Sequence, residues 1–339
     1  MDSLSRLDLL LITRAQHHDQ TARADVMNGK PTNRRNLALR FSLRGFLVAV
    51  ALLAIWIGIQ STKAKQTRVA LERIAALNGR VRFAHQYDAS GSFDESAKPF
   101  GAPWLRRLIG SEYFDRVVYI SLGDREVTDD DLSEIAALGD VKTFWLPRTS
   151  ISDQGSKHLA KMKNLEQLYL AGTAIGDEGV KNLSALSKIK GITLNDTRIT
   201  DEGLARLSAF KGLICLNVSG NQISGEGLVN THVLPNLKYM NLKQTPLTNS
   251  SLKILGEQTT ADWLDVKWTA VTDEGIAHLI NVPSLKKIEF NAEQATPETV
   301  ALLRRERPDC TLVIHHAPNR ENSDFNDGNS NNQNASGVR

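Results

Sequence analysis

Hydrophobic and polar positions recur along most of the chain with one long, fixed period. Two consecutive stretches show it: LEQLYLAGTAIGDEGVKNLSALSK from Leu165 and IKGITLNDTRITDEGLARLSAFKG from Ile189, which align letter on letter at a spacing of 24 residues. The spacing holds without insertion or deletion in eight copies, beginning at Val117, Val141, Leu165, Ile189, Leu213, Leu237, Ala261 and Leu285. In each copy the apolar fourth and sixth positions alternate with outward third, fifth and seventh positions, the period-two pattern of a short strand. A T-D-E-G step follows, and then apolar residues at helical spacing, so each copy predicts one strand and one helix.

Written out, the copies read L-x-x-L-x-L-x-x-T-x-I-T-D-E-G-L-x-x-L-x-x-L-x-x, which resembles a leucine-rich repeat of the ribonuclease-inhibitor-like type. The resemblance spans residues 117–316. It implies an α/β solenoid with parallel strands on the concave face and helices on the convex one. It also implies that the ninth position, held by Thr149, Thr173, Thr197, Asn221, Thr245 and Thr269, is a ladder bonded to neighbouring backbone. The close of the array, a helix, then Pro308 and Cys310, then an apolar strand over Thr311 to Ile314, is similar to the usual end of such arrays and makes Cys310 a packed cap residue.

Upstream of the repeats the pattern becomes an unbroken apolar block. GFLVAVALLAIWIGI, Gly45 to Ile59, carries no charge, and 18 uncharged residues separate Arg44 from Lys63. As a helix these extend about 27 Å, close to the ~30 Å hydrocarbon core of a bilayer. A block bracketed by cations reads as a transmembrane signal anchor over residues 45–62 rather than as a core helix. A cleaved signal peptide is the competing reading, for which Thr62-Lys63-Ala64 offers a poor site. Five basic residues from Lys30 to Arg44 precede the span, and Lys63, Lys65, Arg68 and Arg73 follow it. The positive-inside bias therefore favours, by a small margin, a cytoplasmic N-terminus and repeats outside the cytoplasm at a cell membrane.

The flanking segments follow from the same pattern. Residues 1–44 form a basic tail within which Met27 is an alternative start. QTRVALERIAAL predicts a short amphipathic helix ended by Asn78-Gly79, Arg80 to Tyr87 a strand, and Asp88 to Gly101 a linker, so residues 63–98 read as a juxtamembrane stalk and linker. Trp104, Leu105, Leu108, Ile109, Tyr113 and Phe114 crowd just before the first copy. Residues 99–116 are accordingly expected to cap its apolar end. Residues 317–339 are Asn-rich and almost without apolar groups, a composition expected to be disordered.

Composition mostly excludes. Forty-one basic against 38 acidic residues give a formal charge of +3, mixed along the chain, without the clustered basic footprint of a nucleic-acid binder. Cys215 and Cys310 lie four copies apart, about 19 Å at ~4.8 Å per stacked strand, too far for a disulfide. The acids of the T-D-E-G steps (Asp177, Glu178, Asp201, Glu202, Asp273, Glu274) invite a metal or catalytic reading. Acids in a first turn, and Thr200 or Asp201 as an N-cap, instead serve the helix start, and the Gly-rich nonapeptides of calcium-binding solenoids are absent. Gly220-x-x-x-x-Gly225 is followed by Glu226, where a phosphate loop requires Lys. His158 and His278 are five periods apart, about 24 Å. No catalytic residue, metal ligand or cofactor is expected.

The outward positions are where copies differ. Tyr119, Trp145, Tyr169, Tyr239 and Trp263 occupy them and Trp268 stands at the eighth position, six of the ten Tyr and Trp residues in the chain. Exposed Tyr and Trp on a rigid surface anchor interfaces; stacked between strands they also stiffen a sheet, by about 0.2–1 kcal/mol per pair. The charges of this face and its rim are Asp124, Arg148, Asp196, Lys243, Asp265, Lys267, Lys287 and Glu289, four of each sign. That balance suits a protein or a glycan and not nucleic acid. The candidate partner-binding set is Tyr119, Trp145, Arg148, Tyr169, Tyr239, Lys243, Trp263 and Trp268. The order of segments resembles membrane-anchored bacterial leucine-rich-repeat proteins. The resemblance and the aromatic face together imply a non-enzymatic recognition module binding a protein partner; the alternative is a structural envelope scaffold or spacer.

Overall fold

The computed structural model describes residues 43–88 and 90–316. The expectations for a basic tail, an alternative start at Met27 and a disordered Asn-rich end lie outside the described residues. Two units meet at Ile57 and Gly58. In the first, residues 43–57 are helical and present Phe46, Leu52 and Trp56 outward. The second holds everything from Gly58 onward.

The 24-residue period builds a ten-stranded sheet in strict chain order. Its strands are β1 (Arg80–Phe83), β2 (Val117–Ser121), β3 (Thr143–Trp145), β4 (Gln167–Tyr169), β5 (Gly191–Thr193), β6 (Cys215–Asn217), β7 (Tyr239–Asn241), β8 (Trp263–Asp265), β9 (Lys287–Asn291) and β10 (Thr311–His315). From β2 to β10 every pair is parallel, and each residue from β3 to β9 lies beside the one 24 positions away, as Trp145 beside Tyr169 and Tyr239 beside Trp263. Parallel neighbours need a crossover of about a dozen residues, and the rest of each copy supplies it with a short helix such as Asp177–Leu183. The fifth copy departs from this, carrying a 3-10 segment over Glu226–Val233. Leucines of the fourth and sixth positions, Leu168 and Leu170 among them, are fully buried in one continuous core with the helix-facing Val180 and Leu183.

Two local devices repeat with the period. At the eighth position Asp124, Arg148, Gly172, Asp196, Gly220, Gln244 and Trp268 all hold φ between 52° and 70°. This left-handed residue turns the chain off the strand in every copy but the last. The Asp of the T-D-E-G step then reaches into the next copy. Asp177 accepts from the Thr200 amide (2.8 Å) and hydroxyl (2.7 Å), Asp153 from the Gly176 amide (2.7 Å), and Asp201 from the amides of Ser224, Gly225 and Gly227. Glycine follows in the motif because that carboxylate occupies its side-chain space: a Cβ at Gly179 would collide with Asp153, and one at Gly203 with Asp177. The acids thus join neighbouring copies, which the helix-start reading did not anticipate, while Thr200 does accept the Glu202 amide as an N-cap.

The ninth-position ladder is local in most copies. The hydroxyls of Thr149, Thr173, Thr197, Thr245 and Thr269 donate to the carbonyl three residues earlier in their own copy. Asn221, whose side chain is longer, crosses to the preceding copy and donates to the Leu194 carbonyl (2.6 Å).

Both ends differ from the plain copies. The helix α1 runs unbroken over Leu43–Ala76, and its last turns belong to the core: Ala70 and Ile74 are buried against the first copy with Ile120 and Leu122. Arg73 donates to the buried carboxylate of Asp131. β1 then pairs antiparallel with β2 and packs Val81 and Phe83 on the same end. The covering expected of Trp104 and its neighbours is therefore provided by the segment read as a stalk. Trp104 is 67% and Leu108 73% exposed on the helix α2 (Pro103–Ile109). Bulk in the sequence pointed to the wrong segment, because Ala70 and Ile74 and not Trp104 are the residues buried against the core. At the other end β10 extends the sheet, Cys310 is buried, and the guanidinium of Arg307 donates to the carbonyls of Val282, Pro283 and Leu285.

Candidate functional site: the concave face

The strands place their third and fifth positions on one face, and there the candidate residues fall into two groups and one outlier. On β3 and β4 the rings of Trp145 and Tyr169 stand 4.5 Å apart at 38°. The indole lies against Gly123, where a Cβ would come within 2.7 Å of it, so the absence of a side chain at Gly123 makes the seat for Trp145. Burial pushes the Tyr169 hydroxyl pKa up. At the rim Arg148 pairs in two-pronged fashion with Asp124 (2.5 and 2.9 Å), which holds the Asp124 carboxyl below its ordinary range.

The second group occupies β7 and β8. Tyr239 and Trp263 meet edge to face at 5.7 Å. Lys287 lies 4.8 Å over Trp263, and Trp268 has Lys243 at 4.3 Å and Lys267 at 5.7 Å from its ring centre. The indole N–H of Trp263 is buried without a hydrogen-bond partner. Lys243 and Lys287 are half-buried, the latter bonding Glu289 at 2.8 Å, whereas the charges behind them are buried: Lys267 bonds Glu289 at 2.7 Å and lies 3.4 Å from Asp265. Although burial alone would raise it, the Glu289 carboxyl is lowered to about 2 by the ammonium groups of Lys267 and Lys287. For Asp265 burial wins and the pKa rises. His315 from β10 closes the group, its Nε2 3.1 Å from Glu289.

Asp265, Lys267 and Glu289 are thus part of the wall of the face and not free surface charges. Their buried network was not foreseen. The available signal was acids at the fifth position of two consecutive copies, Asp265 and Glu289, with lysine at the seventh in the first.

Tyr119 stands apart from both groups. β1 brings Arg82 opposite it, and the guanidinium lies between the rings of Phe93 (4.1 Å) and Tyr119 (4.8 Å). Between the two aromatic groups β5 and β6 present Gly191, Thr193, Cys215 and Asn217, leaving a floor without rings. From β4 to β7 is three strand steps, about 14 Å. Cys215 is exposed on that floor and unpaired, and desolvation raises its thiol pKa, making it a slow nucleophile. Among the described residues no three His, Cys, Asp or Glu side chains converge as metal ligands.

A family model described as a leucine-rich repeat matches residues 161–184 and 213–230. With the parallel sheet in 24-residue register, this decides the architecture. The fold is a leucine-rich-repeat solenoid. Two solved structures from Listeria monocytogenes are similar to it, an internalin C2 at 22% identity and an internalin (inlF) at 18%, each with a TM-score of 0.46. Both alignments cover 59% of this chain; they cover 81% of the first and 54% of the second. No curated protein sequence matches. Leucine-rich-repeat domains in general serve protein interaction.

Proposed function

We propose that the chain is a non-enzymatic recognition module, anchored in a membrane by residues 45–62, which binds a protein partner on the concave face between and across the two aromatic groups. The observation that carries the reading is the C-terminal group. Trp268 is 46% exposed with the Lys243 ammonium 4.3 Å and the Lys267 ammonium 5.7 Å from its ring centre, and half-buried Trp263 and Lys287 lie beside it. An exposed indole with cations over its ring offers a partner both apolar area and charge, the composition of an interface anchor. Support for the anchor comes from α1, the one helix among the described residues long and apolar enough to cross a membrane, whose apolar side chains are exposed.

A scaffold role has its own supporting observation, the seating of Trp145 between Gly123 and Tyr169, which also stiffens the sheet. The two readings separate by experiment. A photo-crosslinker attached to Cys215, on the floor between the groups, should capture one defined protein in intact membranes. Replacing the exposed Trp268, together with Lys243, by Ala should abolish the adduct while shifting thermal unfolding little. Loss of stability with no adduct in either protein would establish the scaffold.

A further inference from the structure

Apart from α1, the most exposed large apolar side chains of the second unit cluster in one short segment. Phe100 is 78% exposed, and Trp104 and Leu108, one helical turn apart on α2, stand out beside it. The segment is held firmly in this attitude. Arg106, between them in sequence, donates to both oxygens of Asp115 (3.0 and 2.5 Å) and to the Phe100 carbonyl (3.0 Å). Lys98 and Arg107 are exposed alongside and make no ion pair among the described residues. A bulky apolar patch with an indole in it and free cations at its edge has the composition of a protein surface seated among lipid headgroups.

The position of the segment agrees with its composition. Tyr113 and Arg116, which follow α2, line one cavity of about 490 Å³ together with Gln60, Lys63 and Thr67 of α1. Gln60 and Lys63 are the first polar and the first charged residue after the apolar run that ends at Ile59. Residues four and seven positions past the end of α2 thus border the same cavity as the first polar residues after that run. We infer that Phe100, Trp104 and Leu108 insert into the interface of the bilayer that α1 spans, with Arg107 and Lys98 on lipid phosphates, so that the solenoid is seated on the membrane and not merely tethered to it. The inference rests on the anchoring reading above.

Nitroxide labels on the full chain test it, in vesicles of phosphatidylcholine and phosphatidylglycerol. In a Cys215→Ser background one label each is placed through Trp56→Cys, Leu108→Cys and Ser150→Cys, and collision with oxygen and with a water-soluble nickel chelate is measured. The label at position 108 should show an oxygen-to-nickel ratio several-fold above that at position 150, and adding Trp104→Ser with Arg107→Glu should return it to the value at 150 without altering position 56. Equal ratios at 108 and 150, with position 56 buried in lipid, would overturn the seating and leave the anchor intact. A label at position 56 freely reached by nickel would overturn the anchor and the seating with it. Dipolar broadening at 108 that grows with protein density would assign the patch to a second copy of the chain and overturn the lipid assignment.

Discussion

Five L-residues, Asp124, Arg148, Asp196, Gln244 and Trp268, hold φ between 52° and 60° at the same place in their copies. Such backbone costs an L-residue about 1 kcal/mol, so the turn imposes its conformation on whatever side chain occupies it. Gly172 takes this conformation freely. Gly172→Ala is expected to cost about 1–2 kcal/mol in urea unfolding, since its Cβ would also meet the Arg148 side chain at 3.1 Å. In Gln244→Gly the relief is offset by added freedom in the unfolded chain, leaving the change within about 1 kcal/mol.

Among the charged side chains, the pKa values of Glu289 and Asp265 shift in opposite directions. Glu289 titrates near 2 in the folded chain against 4.5 ordinarily, so its stabilisation is complete above 4.5 and fades as pH falls toward about 2. Asp265 is raised from 3.8, so protonation favours the fold and that benefit is lost as pH rises through its folded value. Glu289→Gln should lower neutral-pH stability by about 3 kcal/mol and flatten the acid side of the stability profile, whereas Asp265→Asn should raise neutral-pH stability. A Glu289→Gln profile that falls as steeply as the parent's would refute the assignment.

Asp129, Asp153 and Asp177 each key their copy to the next by fitting over a glycine, at Gly155, Gly179 and Gly203. Asp177→Ala removes both bonds to Thr200 and should cost about 2 kcal/mol; Gly203→Ala pushes the same carboxylate aside and should cost a similar amount. Together they should fall short of the sum by more than about 1 kcal/mol, because the added methyl then enters space the carboxylate has left. Strict additivity in denaturant midpoints would sink the idea. The strand-and-helix alternation was legible in the sequence because Leu168, Ile192 and Leu216 recur in register with nothing inserted between them. The keying was not, because an acid at a helix start already has a sufficient local explanation. Nor was the fate of Tyr119, which depends on an antiparallel pairing with Arg82 from outside the repeats.

Across the whole solenoid the weak points are its two ends, where no neighbouring copy covers the core. The N-terminal end depends on Ala70, Ile74 and the Arg73–Asp131 pair. A chain beginning at Gly58 should unfold cooperatively and remain monomeric, while one beginning at Asn78 should self-associate through the uncovered Ile120 and Leu122; size-exclusion chromatography distinguishes them. Reading the sequence misassigned the first cover, since hydrophobic bulk is visible in letters and close fit is not. The keyed register carries a consequence for the face between the aromatic groups. Because Asp153 and Asp177 engage their successors alike, removing Ile189 to Gly212 would let Asp177 meet the following copy much as it met the lost one. The two groups would then approach by one strand step, about 4.8 Å, with everything else unchanged. The solenoid thus behaves as a gauge whose opening can be set only in whole graduations, and lineages of such chains could retune the size of what they grip by gaining or losing single copies.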